Sequence, residues 1–289
     1  MQYAQFFDEI FQSVLFSTQE GLAKYLPYFA QHQQGTILTF PAELPKLALA
    51  TQNPYNNDLG SAHSNSNKLI AMIPINGLLT RSGSWWDYGT DDIAALINEA
   101  AANESVKAIV LRSNCVGGTT QSVFPMIESI DKCEKPVLMA VDSLSLSAAM
   151  LIGVHCDRMF ATHKMCQVGS IGIQWESRND DAMYEKYGIK RVVITPPESS
   201  WKNKTTNEAR EGKTDLLIKE ELSPWAQFFQ NEVKQNRPAL NQSVEGILEG
   251  RVFFAYDAVK NGLIDGIHPM DEIMKYAFEF AERQKIENL

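Results

Sequence analysis

The chain has 289 residues, 44% of them hydrophobic and 21% charged, which is typical of a globular protein with a substantial core. Its formal net charge of −9 argues against nucleic-acid binding and against a polybasic membrane contact. The sequence contains no Cys-x-x-Cys pair, and its cysteines have no metal-like spacing with the five histidines. We therefore expect reduced thiols and no metal site at Cys115, Cys133, Cys156 and Cys166. The N-terminus shows neither a signal peptide nor a membrane anchor, which predicts a cytoplasmic protein.

Residues 1–50 form the first predicted region. Apolar side chains recur there at helical spacing, for example Phe6, Ile10 and Val14, so we predict a helical N-terminal region. Residues 51–68 are rich in Asn, Ser and Gly and predict a loop or linker. The main domain is then expected over residues 69–289.

From Leu69 onward, predicted strands alternate with predicted helices. The strands are LIAMIPINGLLT, VKAIVLRSN, PVLMAVDS and DRMFAT, and the helices are TDDIAALINEAAANES, SVFPMIESIDKCE and SAAMLIGVHC. Thr90 or Asp91 is the expected N-cap of the first helix. A helix RNDDAMYEKYGI and a strand KRVVIT follow, and amphipathic helices are predicted over 214–236 and 271–287. This alternation predicts an α/β fold with a mostly parallel sheet.

Two strand ends carry residues suited to acyl transfer. One strand leads into Gly117–Gly118, where backbone N–H groups can approach a ligand with no side chain in the way. The next leads into Ser143, Ser145 and Ser147, and the last of these directly precedes a helix. Each feature has a plainer explanation, because a Gly-Gly pair often forms a turn and a serine often caps a helix. Together they could supply a nucleophile and an oxyanion hole.

Four segments, in this order, resemble the signal peptide peptidase A family of serine peptidases over residues 69–267. They are LRSNCVGG, SAAMLIGVHCD, VGSIG and GRVFFAYDAVKNGLID. The chain departs from the family at Cys115–Val116 (Ser-Pro in the family), at Ala148–Ala149 (Gly-Gly) and at Met150–Leu151 (an aromatic pair). The resemblance implies the crotonase/Clp-protease fold, a spiral of ββα units with a mostly parallel sheet and helical N- and C-terminal extensions.

The resemblance also implies which residues act. The family's nucleophile lies ten residues before the Asp of its Ala-Asp pair, and counting back from Asp157 gives Ser147. The family uses a Ser-Lys dyad, in which Lys202 would be the base. Lys204 remains an alternative, because the segment before it is longer than in many relatives. No histidine has the context expected of a Ser-His-Asp triad.

The family's supporting residues also have counterparts here. Gly118 and Ala148 are expected to donate backbone N–H groups to the oxyanion, while Gly117 shapes the turn. The Gly169 region is expected to pair with an extended substrate. Ser170 either hydrogen-bonds the lysine, as its counterpart in the family does, or simply ends a strand.

The implied activity is peptide-bond hydrolysis through an acyl-enzyme, without a cofactor. The expected absence of an anchor favours a phage- or prophage-type protease that trims capsid or scaffold proteins, in the host cytoplasm or the assembling prohead. The family's rings imply a homo-oligomer. Two alternatives are a cytoplasmic, signal-peptide-peptidase-like protease that degrades peptides and a catalytically inactive scaffold member of the fold. A crotonase-like acyl-CoA enzyme is disfavoured, because catalytic carboxylates are not evident at the strand ends.

Overall fold

The structure is a computed structural model that describes residues 15–17, 48–50, 69–83, 88–176, 181–190 and 192–287. The strands in these ranges are β1 Leu15–Ser17, β2 Ala48–Ala50, β3 Leu69–Leu79, β4 Val106–Thr119, β5 Val137–Leu146, β6 Arg158–Ala161, β7 Gln167–Gly169, β8 Val252–Phe254 and β9 Gly266–Ile267. The helices are α1 Thr90–Ala102, α2 Val123–Asp131, α3 Ala148–Val154, α4 Asp181–Lys186, α5 Lys204–Arg210, α6 Asp215–Leu217, α7 Ser223–Asn236, α8 Ala255–Lys260 and α9 Met270–Glu287. A π-helical turn, Ile218–Leu222, joins α6 to α7.

The described strands form one sheet with the order β2-β3-β4-β5-β6-β9. Strands β3 to β6 and β9 pair in parallel, whereas β1 and β2 are antiparallel to their partners. Parallel neighbours need a crossover connection, and α1, α2 and α3 connect β3 to β4, β4 to β5 and β5 to β6. The predicted α/β class with a mostly parallel sheet is therefore confirmed.

Strand β5 divides its pairing between two neighbours. Its first half pairs with β6, from Leu138 opposite Arg158 to Val141 opposite Ala161. Its second half pairs with β7, ending at Leu146 opposite Gly169. Strand β7 in turn pairs with β8 on its far side. Helix α3 thus follows a strand whose two halves have different neighbours, as in the spiral of ββα units that the resemblance implies.

The sheet is covered on both faces, which explains why its central strands are almost continuously apolar. In β4, Ile109 and Leu111 belong to a core cluster with residues of α1, α2 and α3. The alternate residues Ala108 and Val110 pack in a second cluster with Ile273, Met274 and Ala277 of α9. No helix among the described residues is long and apolar enough to cross a bilayer.

Some local predictions need correction. The described pieces of the predicted helical region 1–50 are the strands β1 and β2, while its other residues and the predicted loop 51–68 lie outside the described residues. Residues 192–195 of the predicted strand KRVVIT are not in a strand. Helix α1 begins after Gly89, whose N–H donates to the Asp92 carboxylate, rather than after Thr90 or Asp91. A Cβ at Gly89 would lie 2.2 Å from the Arg81 carbonyl oxygen, so only glycine fits.

Candidate active site

Ser147 stands where β5 turns into α3. Its backbone has φ 53° and ψ −114°, a conformation uncommon for a residue with a side chain, and the residue is 2% exposed. Such strained backbone costs about 1–3 kcal/mol and persists only where the surrounding structure holds it. Ser147 occupies the N-cap position of α3, but its side chain makes no capping hydrogen bond. The plainer explanation of this serine as a helix cap is therefore wrong.

The other two serines of this segment have different surroundings. Ser143 is exposed. Ser145 is fully buried and lies between strands, opposite Cys115 of β4 and Val168 of β7. Its hydroxyl points to the sulfur of Met139 at 3.6 Å. Ser147 is thus the serine of the three that lies at the strand–helix junction.

The glycine pair lies on the strand beside Ser147. The β4–β5 pairing ends with Cys115 opposite Ser145, two residues before Gly117 on one strand and two residues before Ser147 on the other. The Gly117 N–H donates to the Cys115 sulfur at 3.4 Å, which holds the bend of the strand. At Gly118 a Cβ would lie 2.1 Å from the Leu79 carbonyl oxygen, so this position requires glycine. The Gly117 N–H thus has an acceptor within its own strand, and Gly118 is the residue paired with both Leu79 of β3 and Phe16 of β1.

Strand β7 holds the other side of Ser147. The Ser147 N–H donates to the Gly169 carbonyl at 2.9 Å, and the Ser170 N–H donates to the Arg251 carbonyl at 3.0 Å. Gly169 has φ 108°, and a Cβ there would lie 2.7 Å from the Arg251 carbonyl oxygen. Ser170, half-buried, also has a positive φ of 54°. Strand pairing and these hydrogen bonds thus bring Gly169 and Ser170 next to Ser147 and the buried Ala148.

The two candidate lysines lie around the start of α5. Lys202 is exposed in the turn before the helix. The Lys204 amine lies 4.6 Å from the centre of the Trp201 ring and 3.9 Å from a Glu208 carboxylate oxygen. Within the residues that the structure describes, no hydrogen bond joins either amine to Ser147 or Ser170. Trp201, which could have shielded the amine from water, is itself 62% exposed. The serine and glycine parts of the site are assembled in this arrangement, and the lysine is not.

Comparisons with known proteins bear on this arrangement. The sequence profile described as "Peptidase family S49" matches residues 130–284, more than half of the chain. The chain belongs to peptidase family S49. This confirms the family predicted from the motifs.

Individual relatives of this S49 chain are distant. "Protease 4" of Haemophilus influenzae is 23% identical over 227 residues, which are 77% of this chain and 36% of that protein. "Head-tail preconnector protein GP5" of Enterobacteria phage P21 is 31% identical over 111 residues, 36% of this chain and 22% of that protein. The S49 chain therefore spans little more than a third of the Haemophilus protein's length.

Solved structures are similar at low identity. A membrane-bound stomatin-specific protease aligns with a TM-score of 0.47 at 15% identity, over 71% of this chain and 82% of that one. An enoyl-CoA hydratase/carnithine racemase from Magnetospirillum magneticum aligns with a TM-score of 0.43 at 14% identity, over 74% and 70% of the two chains.

Two aspartates of the S49 motifs support the sheet rather than the chemistry. The Asp157 carboxylate accepts the Val137 N–H at 2.8 Å, at the start of the strand that ends beside Ser147. The Asp265 carboxylate accepts the Met159 N–H and an Arg237 N–H, both at 2.7 Å. Arg237 is 7% exposed and did not stand out in the sequence, because nothing local reveals its distant partner.

Of the cysteines in this S49 chain, Cys115, Cys156 and Cys166 are buried, and Cys133 is half-buried. Burial is the largest influence on the pKa of the Cys156 thiol and raises it. Burial also raises the pKa of the half-buried Cys133 thiol. A raised pKa keeps these thiols protonated and therefore unreactive. Neither is a candidate nucleophile.

Proposed function

We propose that this chain is a serine endopeptidase with Ser147 as its nucleophile. The observation that carries the proposal is the strained, uncapped Ser147 at a strand–helix junction, beside the glycine pair of the neighbouring strand. A cap needs neither a positive φ nor a free hydroxyl, whereas a nucleophile needs the hydroxyl unengaged and presented at a sharp turn. Family membership supports the same activity.

The proposed reaction follows an acyl-enzyme route. Lys202, or Lys204 in its place, takes the hydroxyl proton as the Ser147 oxygen attacks a peptide carbonyl. The N–H groups of Gly118 and Ala148 donate to the developing oxyanion. The lysine then protonates the leaving amine, and water hydrolyses the ester. Ser170 would hold the amine in place, and the strand edges at Gly117 and Gly169 would align the substrate.

We infer that a second copy of the chain completes the site. A lysine base must be neutral, and removal from water favours the neutral amine. Lys202 is exposed in the single chain, and the same stretch carries Val192, Val193 and Ile194 at 71%, 57% and 87% exposure. Single exposed apolar residues are ordinary, but consecutive ones suggest an interface. A homo-oligomer that covers residues 192–204 would bury these side chains and desolvate the lysine.

The role we propose is the processing of a phage or prophage capsid or scaffold protein. The local similarity to the phage P21 head-tail preconnector protein favours it. The second candidate is general peptide degradation, favoured by the longer match to "Protease 4". A processing enzyme makes few cuts in a protein, whereas a degradative enzyme reduces an apolar signal peptide to small fragments. Digestion of unfolded casein and of a synthetic signal peptide, followed by mass spectrometry, separates the two.

The activity itself is tested with a fluorophosphonate probe and casein. Wild type and Ser143→Ala should be labelled and should cut casein, because Ser143 is exposed and outside the site. Ser147→Ala should lose both reactions. Labelling that persists in Ser147→Ala would refute the assignment of the nucleophile. Wild type that neither labels nor cuts in any assembly state would favour an inactive scaffold.

A further inference from the structure

Strand β1 lies against the part of β4 that contains the candidate oxyanion donor. It pairs antiparallel, with Leu15 opposite Thr119, Phe16 opposite Gly118 and Ser17 opposite Gly117. The other edge of the same stretch is already occupied by the end of β3. A short N-terminal segment therefore covers the remaining edge of β4 at the glycine pair.

That edge is the one that β5 leaves free. Strand β5 pairs with β4 up to Ser145 opposite Cys115, and beyond Leu146 the chain turns away through Ser147 into α3. The positions of β4 that follow Cys115 then pair with β1 instead. Antiparallel addition of an extended segment to a free strand edge is a standard way for a peptide to bind a protein. Strand β1 thus lies where a substrate strand would pair beside Ser147.

The register identifies one peptide bond. Phe16 is opposite Gly118, whose N–H is the proposed oxyanion donor, and Ser17 is opposite Gly117. Phe16 is therefore the residue of β1 that is opposite the proposed donor, and the bond after its carbonyl joins it to Ser17. Ser147 is only 2% exposed in this arrangement.

We propose that β1 is the enzyme's own substrate strand and that Ser147 cleaves the Phe16–Ser17 bond. This inference rests on the proposed peptidase function and names its substrate class. The substrate is an extended, antiparallel segment with a large apolar residue before the cut bond and a small hydroxyl residue after it. Until it is cut, β1 competes with other substrates for the edge of β4.

The step balances without any co-reactant except water. The Ser147 oxygen bonds to the Phe16 carbonyl carbon, and the hydroxyl proton passes to the lysine amine. The C–N bond to Ser17 then breaks, and the lysine returns the proton to the new amino group of Ser17. Water hydrolyses the ester, which releases residues 1–16 with a Phe16 carboxylate and restores the Ser147 hydroxyl.

The test follows the full chain by intact mass and N-terminal sequencing after purification. Wild type should lose residues 1–16 and begin at Ser17, whereas Ser147→Ala should stay intact. Phe16→Asp, which places a charge at the proposed cut, should slow the cleavage at least 10-fold. Phe11→Asp, the same substitution outside β1, should be cut at the wild-type rate.

Fluorophosphonate labelling and casein cleavage are measured on the same samples. If wild type or full-length Phe16→Asp is labelled at Ser147 while wild type keeps residues 1–16, the inference is overturned and the peptidase function stands. Cleavage of wild type at another bond of the N-terminal region also overturns it. If neither protein is labelled and neither cuts casein, the proposed function fails, and the inference fails with it.

Discussion

Ser147, Ser170 and Asn203 are the non-glycine residues with a positive φ in the part of the chain that the structure describes. All three lie at the proposed machinery: at the nucleophile, beside it, and between the two candidate lysines. Asparagine adopts this conformation with little strain, but serine does so rarely. Strained backbone concentrates at functional sites, where the surrounding structure holds it. The two serines therefore support the proposed site independently of any motif, whereas the conformation of Asn203 is ordinary for its residue type.

The identity of the base is a prediction at the scale of single side chains. Lys202→Met should abolish casein cleavage, whereas Lys204→Met should retain at least a tenth of it, because the Lys204 amine already lies against Trp201 and Glu208. A lysine must lose its proton to act as a base, and an unperturbed lysine does so only near pH ~10. Wild-type activity should therefore rise from pH 6 to pH 9.

The measurement is the rate of casein cleavage across that range, with circular dichroism to show that both variants are folded. A flat profile would exclude a lysine base. If Lys204→Met loses all casein cleavage and Lys202→Met keeps it, Lys204 is the base and Lys202 is not.

At the scale of elements, the sheet holds the site through contacts far apart in the sequence. Strand β7 accepts the Ser147 N–H, and β8 fixes β7 from its other side. Asp265 ties the start of β6 to Arg237, which lies just beyond α7, and Arg237 also donates to the Gly153 carbonyl in α3 at 3.3 Å. Asp265, a residue of the fourth motif, thus supports α3, the helix that follows Ser147.

Loss of this support should be measurable. Asp265→Ala should lower the free energy of unfolding by about 3 kcal/mol, because it leaves the buried Arg237 guanidinium without its carboxylate. Asp257→Ala, which removes only an exposed pair with Lys260, should cost less than about 1 kcal/mol. Urea unfolding of both variants provides the comparison. Equal losses would contradict the proposed role of the Asp265 pair.

At the scale of the whole molecule, the single chain leaves its candidate base in water, and the apolar residues 192–194 of the preceding segment are exposed as well. Both features follow if residues 192–204 pack against a second copy. The wrong strand prediction for KRVVIT has the same explanation. Its β-branched residues do not pair within the described chain, and such apolar residues suit a surface that another chain covers.

If the oligomer depends on residues 192–204, a charge introduced there should disrupt it. Ile194→Asp, at a residue that is 87% exposed, should shift the protein towards the monomer in sedimentation velocity and lower casein cleavage at least 10-fold. Ile286→Asp, at a residue 72% exposed near the end of α9, should leave both measurements unchanged. A wild-type protein that is monomeric at micromolar concentration and still active would refute the assembly.

Much of this molecule could be predicted from the sequence because it depends on neighbours in the chain. Alternating apolar runs predicted the strands and helices from Leu69 onward, and four ordered motifs predicted the family. The family's spacing, counted back from Asp157, implied Ser147 among three serines. The short strand β1 escaped prediction, because its three residues pair with a strand a hundred positions away and carry no local signal of that partner.

Local periodicity was enough to predict the α/β class, and motif order was enough to predict the family, whose resemblance then implied the candidate site residues. Three features emerged only once the chain was folded: Ser147 is strained and does not cap its helix, Gly118 admits no side chain, and Asp265 supports the sheet. The tertiary structure alone placed β1 on the edge beside the nucleophile. The reason is that a torsion angle, a close approach and a strand register depend on which distant segments meet, and no local pattern records that.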